Sequence, residues 1–256
     1  MSDPRTVKKL SREISRKIDR SILAYDMLEA GDRVAVAVSG GKDSTTLAYH
    51  LAAKSRGYHI PFSVTAVHIA TEYSPPELES SLQRSCDEWG VDLQVIRYTL
   101  GDRLQKGRSV SCYWCATQRR TELLAHAERM GFTKIALGHH MDDLLETFLM
   151  NMLHKKELST MLPTMRYDRY RQTIIRPLAW VREKEIIRFA GAAGISTFRC
   201  RCGLDELSKR KSVRKLIDVA EEIEGEHAAE HMFSALHKPK LRYLITDESL
   251  ADGSPA

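Results

Sequence analysis

Ser39-Gly40-Gly41-Lys42-Asp43-Ser44 gathers two hydroxyls, a cation, a carboxylate and a glycine pair directly after the apolar run Val34-Ala-Val-Ala-Val38. This is the composition of a phosphate-binding loop. Glycines let the backbone close on an anion, successive N–H groups form a nest, and the positive end of the helix expected over 45–55 points at the same place. A Walker loop would need glycine at position 36 and Ser or Thr at 43; the chain has Val36 and Asp43. The loop is therefore of another kind. Two further clusters carry chemistry. Cys112-Tyr-Trp-Cys115 puts two thiols on the first turn of a helix, where the dipole favours the thiolate and hence metal binding, and Cys200-Arg-Cys202-Gly203 follows much later. Gly138-His139-His140-Met141-Asp142-Asp143 offers carboxylates which, with Asp43, suit Mg²⁺, a hard cation that prefers oxygen. Adjacent histidines do not share a helix face, so His139 and His140 read as polar lining of a site and not as a metal pair. Asp142-Asp143 also reads as a helix N-terminal cap, and both roles can hold together.

The elements that must position these residues alternate. Strands are expected at Arg33–Val38, Phe62–His68, Leu93–Tyr98, Lys134–Leu137 and Thr173–Ile175, with helices around 45–55, 76–89, 114–130 and 141–154. That order predicts an α/β fold with a doubly wound parallel sheet whose ligands sit at the carboxyl ends of the strands. An amphipathic helix from Lys8 to about Met27, closed by Gly31-Asp32, precedes the sheet; from Arg182 the pattern is wholly helical (183–192, 207–224, 228–236). We divide the chain into an N-terminal helical segment (1–30), a nucleotide-binding domain (31–180) and a helical C-terminal extension (181–256). Loose segments are expected at both ends, at Gly101–Arg108 and at Met161–Arg171.

Composition bounds the rest. The 256 residues are 43% hydrophobic and 29% charged, with no apolar run near the ~18 residues a membrane helix needs and no apolar signal core in the first ten. Five cysteines in this grouping suit a reducing cytoplasm better than a disulfide framework. A net charge of +5 is mild, but its distribution is not: Arg199, Arg201, Lys209, Arg210, Lys211, Arg214 and Lys215 precede the acidic stretch Asp218–Glu230. The run Lys209-Arg210-Lys211-x-x-Arg214-Lys215 suits phosphate contacts to RNA, joined by Arg119 and Arg120, or else a solvated helix face.

In order and content, the loop at 39–44, Cys112-x-x-Cys115, Gly138–Asp143, Ile175-Arg-Pro-Leu178 with Arg182-Glu-Lys-Glu-Ile186, and Cys200–Gly203 resemble the tRNA 2-thiocytidine synthetase family of PP-loop ATP pyrophosphatases, a HUP-like fold. The likeness runs from about Val7 to Leu236. It implies an ATP-dependent sulfurtransferase that converts ATP to AMP and pyrophosphate, adenylates cytidine 32 of the tRNA anticodon loop and replaces its 2-oxygen by sulfur. The implied cofactors are ATP, Mg²⁺ and a 4Fe–4S cluster on three cysteines. The implied partners are tRNA, a sulfur donor (a cysteine desulfurase or sulfide) and a second copy of the chain in a homodimer. Carried onto this sequence, Lys42, Asp43 and Asp143 take catalytic roles. Ser39, Gly40, Gly41, Lys42, Asp43, Ser44, Gly138 and Asp142 hold the nucleotide, with Val67, His68 and Ile69 as an adenine shelf. Cys112 and Cys115 are two cluster ligands and Cys202 the third, with Cys200 as the alternative. The chain departs from the family where Cys200-x-Cys202 is one residue tighter than the usual Cys-x-x-Cys, and where Ala70–Pro76 lacks an Asp-Gln-rich stretch.

Two rival readings remain distinct: an ATP pyrophosphatase that adenylates another base or a small molecule, which needs no cysteine cluster, and a zinc-stabilised RNA-binding protein. The tight Cys200-x-Cys202 spacing counts against a usual zinc knuckle, and an intact loop counts against a relic.

Overall fold

A computed structural model describes residues 3–99, 111–198 and 209–244; Gly101–Arg108, Cys200 and Cys202 lie outside that range, as do the side chains of Cys112 and Lys209. Six strands form one sheet in the order β3-β2-β1-β4-β6-β5. β1 (Asp32–Ala37) lies at its centre between β2 (Phe62–Ala70) and β4 (Lys134–Ala136), with β3 (Asp92–Arg97) outermost beyond β2. These pairs are parallel, as is β4 with β6 (Tyr170–Ile175). The reversal of strand order on either side of β1 creates the crevice at the carboxyl end of β1 where a doubly wound sheet binds ligands. The expected fold class is observed.

One sequence expectation is corrected. Met161–Arg171 is not a loose connection: β5 (Thr164–Tyr167) pairs antiparallel with β6, which begins at Tyr170, and the hairpin closes the sheet's edge. Smaller shifts concern helix ends. α1 (Pro4–Ala24) stops before Tyr25, with Asp26 in the left-handed region, and α2 (Lys42–Ser55) starts three residues early, so Lys42, Asp43 and Ser44 belong to its first turn.

One face of the sheet carries α1, α2, α3 (Pro76–Trp89) and α6 (Glu183–Ala193). Leu10, Ile14, Ile18 and Ile22, four apart on α1, bury against a core that includes Ile186 and Phe189 of α6. On the opposite side α4 (Cys112–Arg129) lays Leu123, Leu124 and Ala127 over Val67, Ile69 and Ile135. α5 (Met141–Lys155) forms a third cluster with α7 (Lys209–Glu224) and α8 (Ala228–Leu236), through Leu144, Leu145, Val213, Ile217 and Phe233. The C-terminal helices are thus fastened to the helix that carries Asp142 and Asp143. Among the described residues no helix is long and apolar enough to cross a membrane.

Buried His50, between the rings of Tyr49 and Phe189, links this packing to pH. Burial, aided by Lys54, drives its pKa down to about 3. The unfolded chain gains its proton near pH 6.5 while the folded chain does not, so the stability contributed by neutral His50 is present above pH 6.5 and lost below it. The expected loss is about 1.4 kcal/mol per pH unit, or about 3 kcal/mol between pH 6.5 and 4. Denaturant titrations of the protein and of His50→Leu check this: the variant's stability falls less steeply over that range, and equal slopes would show that His50 does not contribute.

Candidate active site

The apolar β1 run ends at Ser39, and the chain turns into α2 through Gly40 at φ +83°, a left-handed conformation that glycine adopts without strain. A Cβ there would strike Leu78 of α3 at 2.2 Å. Ser39 and Ser44 lock the loop from within: the Ser39 amide donates to Ser44 Oγ (3.1 Å), the two hydroxyls meet at 3.1 Å, and Ser44 Oγ donates to the Gly41 carbonyl (3.1 Å). Gly41, at the N-cap of α2, supplies no side-chain acceptor, so the helix's positive end faces the crevice uncapped by protein. This is a site for an anion.

Lys42 stands over the loop, its Nζ 2.8 Å from Glu183 Oε1 at the start of α6 and 3.2 Å from the Asp43 carboxylate. Burial opposes its charge, but the bonds to Glu183 and Asp43 outweigh burial and raise its pKa. Burial likewise works against ionised Glu183, yet Lys42 and Arg214 hold its carboxyl below the ordinary range. The lysine is charged and kept in place by carboxylates that an incoming phosphate can replace.

β4 delivers Gly138 and the α5 N-terminus to the other side of the loop. The approach is close: a Cβ on Gly138 would lie 2.8 Å from Ser44 N and 3.1 Å from the Asp43 carbonyl carbon. His140 caps α5 reciprocally with Asp143; the Asp143 amide donates to His140 Nδ1 (3.4 Å) and the His140 amide to Asp143 Oδ2 (3.1 Å). Its Nε2 lies 3.4 Å from Asp143 and 3.8 Å from Asp43, so buried His140 stands between the two carboxylates. Asp43 Oδ1 is buried without a hydrogen-bond partner, and burial raises its pKa against the pull of His140 and Lys42. Burial also pushes Asp143 upward, but His140, His139 and Arg210 prevail and hold its carboxyl below the usual range. Asp142 is otherwise engaged. Its oxygens accept from Arg182 Nε (3.0 Å) and the Glu183 amide (2.6 Å), and buried Arg182 also binds Glu221 and Glu230. Asp142 thus fixes the start of α6, and with it Glu183.

Beside Ser39 a cavity of about 220 Å³ opens between β1, β2 and α4, lined by Val67, Ile69, Arg119, Arg120 and His139. Strand alternation puts Val67 and Ile69 on its wall and His68 on the other face, where His68 Nδ1 donates to the Val38 carbonyl (2.7 Å) and anchors the end of β1. His139 Nδ1 and Arg119 Nε are buried here without partners, and burial lowers the His139 pKa to about 4, so this imidazole is neutral at pH 7. An apolar wall, orphaned polar atoms and an adjoining anion nest fit a nucleotide.

Cys112 opens α4, with Ser111 as its N-cap accepting from the Trp114 amide (3.1 Å), and half-buried Cys115 follows one turn on. Among the described residues no three His, Cys, Asp or Glu are grouped to hold a metal ion.

The basic row of α7 divides. Arg214 reaches Glu146 (2.7 Å) and Glu183 (3.1 Å), and Arg210 reaches Asp143 (3.2 Å) and Glu146 (3.6 Å), while Lys211 and Lys215 face outward. Glu146, fully buried, has its pKa raised by burial against the pull of Arg214. Sequence reasoning missed Glu146 and Glu183. The available signal for Glu146 was its spacing of three and four residues from Asp143 and Asp142, which stacks all three on one side of α5.

Gly138→Ala tests the close approach. Both neighbouring atoms are backbone and cannot rotate aside, so the loop must shift; overpacking of this kind costs about 1–3 kcal/mol. ATP affinity by calorimetry is expected to fall about tenfold with the fold retained, and an unchanged affinity would show that the loop does not bind the nucleotide as described.

The PP-loop domain family matches residues 10–220 of the chain. The tRNA-cytidine(32) 2-sulfurtransferase of Xylella fastidiosa (strain M12) is 38% identical over 209 residues, covering 80% of this chain and 70% of the relative. The protein of the same name from Variovorax paradoxus (strain S110) is 35% identical over 247 residues, covering 94% and 79%. Among solved structures, the U34-tRNA thiolase NcsA from Methanococcus maripaludis, determined with its 4Fe–4S cluster, superposes with a TM-score of 0.75 at 21% identity, covering 94% of this chain and 82% of that one. That likeness is one of fold.

Proposed function

The chain belongs to the PP-loop tRNA-cytidine(32) 2-sulfurtransferases, enzymes of tRNA thiolation, and on that footing we propose that it adenylates the 2-oxygen of cytidine 32 and exchanges it for sulfur with the help of an iron–sulfur cluster. The observation that carries this reading is the 38% identity to a relative of that name over 209 residues, 80% of this chain and 70% of the relative.

A carbonyl oxygen is a poor leaving group. The cytidine oxygen attacks the α-phosphorus of ATP, pyrophosphate departs, and sulfur then adds at carbon 2 while AMP leaves with the oxygen. The chain's part is to hold and polarise. The amides of the loop and α2, with Ser39 and Ser44 bracing them, cradle the phosphates; Lys42 trades Glu183 for phosphate and meets the charge that grows on the leaving pyrophosphate. Val67 and Ile69 take the adenine. Asp43 and Asp143, on either side of His140, are the residues that would hold Mg²⁺, which satisfies most of its coordination with water and phosphate oxygens. Asp142 supports them through Arg182 and α6.

Cys112, Cys115 and a third cysteine would hold a 4Fe–4S cluster, whose remaining iron, free of protein, supplies a place for incoming sulfur. Sulfide, or the persulfide of a cysteine desulfurase once a thiol has reduced it to sulfide and been left as a disulfide, would provide that sulfur, and the family likeness favours a homodimer. Purification under nitrogen followed by iron and acid-labile sulfide analysis tests the cluster. About four of each per chain is expected; a colourless protein carrying one zinc would replace this reading with the RNA-binding one.

A further inference from the structure

We propose that the exposed side of α1, continued by the groove between α1 and α3, is the surface on which the RNA backbone docks; the proposal rests on the tRNA reading above. α1 carries Arg5, Lys8, Lys9, Arg12 and Arg16 at spacings of three and four residues, so one side of the helix presents a cation on each successive turn over about 17 Å. All five side chains are exposed, and among the described residues none has an ion-pair partner. The opposite side of the same helix is the buried Leu10, Ile14, Ile18, Ile22 stripe, so the stripe of charge is fixed on a rigid element.

These cations differ from those of α7 in what they already hold. Arg210 and Arg214 are neutralised by Asp143, Glu146 and Glu183, so they have no net charge to offer a phosphate without exposing a buried acid. The α1 side chains make no such trade. Binding a phosphate there releases condensed counterions without breaking a protein contact, which is the favourable route to a polyanion.

The position also leads to the site. A groove of about 850 Å³ begins at Lys8 and Arg12, has Arg84 and Glu88 of α3 on its far wall, and ends at Gly40 of the phosphate loop and at Phe198, whose amide donates to the Gly40 carbonyl (2.9 Å). The residues just beyond Phe198 carry Cys200 and Cys202. An RNA backbone held along α1 is thereby directed toward the phosphate loop, while the adenine cavity opens on the other side of the loop at Ser39.

The test is Lys8→Gln/Arg12→Gln/Arg16→Gln, with Lys211→Gln/Lys215→Gln as the comparison. Glutamine keeps helix propensity and length, and circular dichroism checks the fold. Binding of an unmodified tRNA transcript is measured by fluorescence anisotropy from low to physiological salt. The triple variant is expected to lower the slope of log K against log salt by about two to three, to bind tRNA about tenfold more weakly near physiological salt, and to raise KM for tRNA with kcat and ATP affinity unchanged. An unchanged slope, or a change confined to the α7 pair, overturns the α1 surface while leaving the thiolation reading intact. Absence of salt-dependent tRNA binding by the unaltered protein removes that reading and this surface with it.

Discussion

Lys42→Ala is expected to slow tRNA thiolation about a hundredfold without unfolding the protein. Lys42 is half-buried, held by Glu183 and Asp43, and stands on the first turn of α2, where the proposed mechanism puts the phosphates. Removing one preorganised cation from a developing charge costs about 3 kcal/mol of transition-state stabilisation. The fold tolerates the change because the carboxylate left behind keeps a second partner: Glu183 remains 3.1 Å from Arg214. Single-turnover thiolation at saturating ATP separates this loss from weaker binding. Full activity in the variant would remove the loop from the mechanism.

The second large effect separates two cysteines that spacing leaves unresolved. Cys202→Ala is expected to lose iron and thiolation together, while Cys200→Ala keeps most of both. Cys202 is followed in sequence by Gly203, a residue that would allow a sharp turn beside the proposed cluster; three protein ligands would leave an iron open, whereas both cysteines together would close it. Because Cys112 and Cys115 are fixed on the first turn of α4, a missing third thiolate cannot be made good from that helix. Iron analysis and activity on the two variants decide the matter. Equal losses, or loss in Cys200→Ala alone, would move the ligand to Cys200.

The sheet's centre was readable because β1 and β4 are buried almost throughout and therefore spell near-continuous apolar runs, as in Val34–Val38, punctuated by glycines where the chain must turn. The edge hairpin gave no such signal. Arg166, Asp168, Arg169 and Arg171 make the segment look like a solvated loop, yet β6 needs a partner on its open side and β5 supplies it. In the candidate site, the loop at 39–44 and the segment at 138–143 each stood out in the sequence because their polar residues lie side by side along the chain. The acids that hold the cations did not. Glu183 is 141 residues from Lys42, and Glu146 is 68 from Arg214, so only the folding of α6 and α7 onto α2 and α5 brings them together. The basic row of α7 looked like a uniform phosphate-binding face for the same reason: its charge was visible, but the buried acids that claim Arg210 and Arg214 lie on another helix.

The RNA product decides whether the chain thiolates cytidine 32 of tRNA at the expense of ATP. Protein purified under nitrogen is incubated with an unmodified tRNA transcript, ATP, Mg²⁺ and sulfide, and the RNA is analysed by nuclease digestion and mass spectrometry of the fragment containing position 32. A gain of one sulfur for one oxygen at that cytidine is expected, dependent on ATP and matched by AMP. AMP formed with no sulfur in the RNA, or sulfur at a different base, would rule out thiolation of cytidine 32.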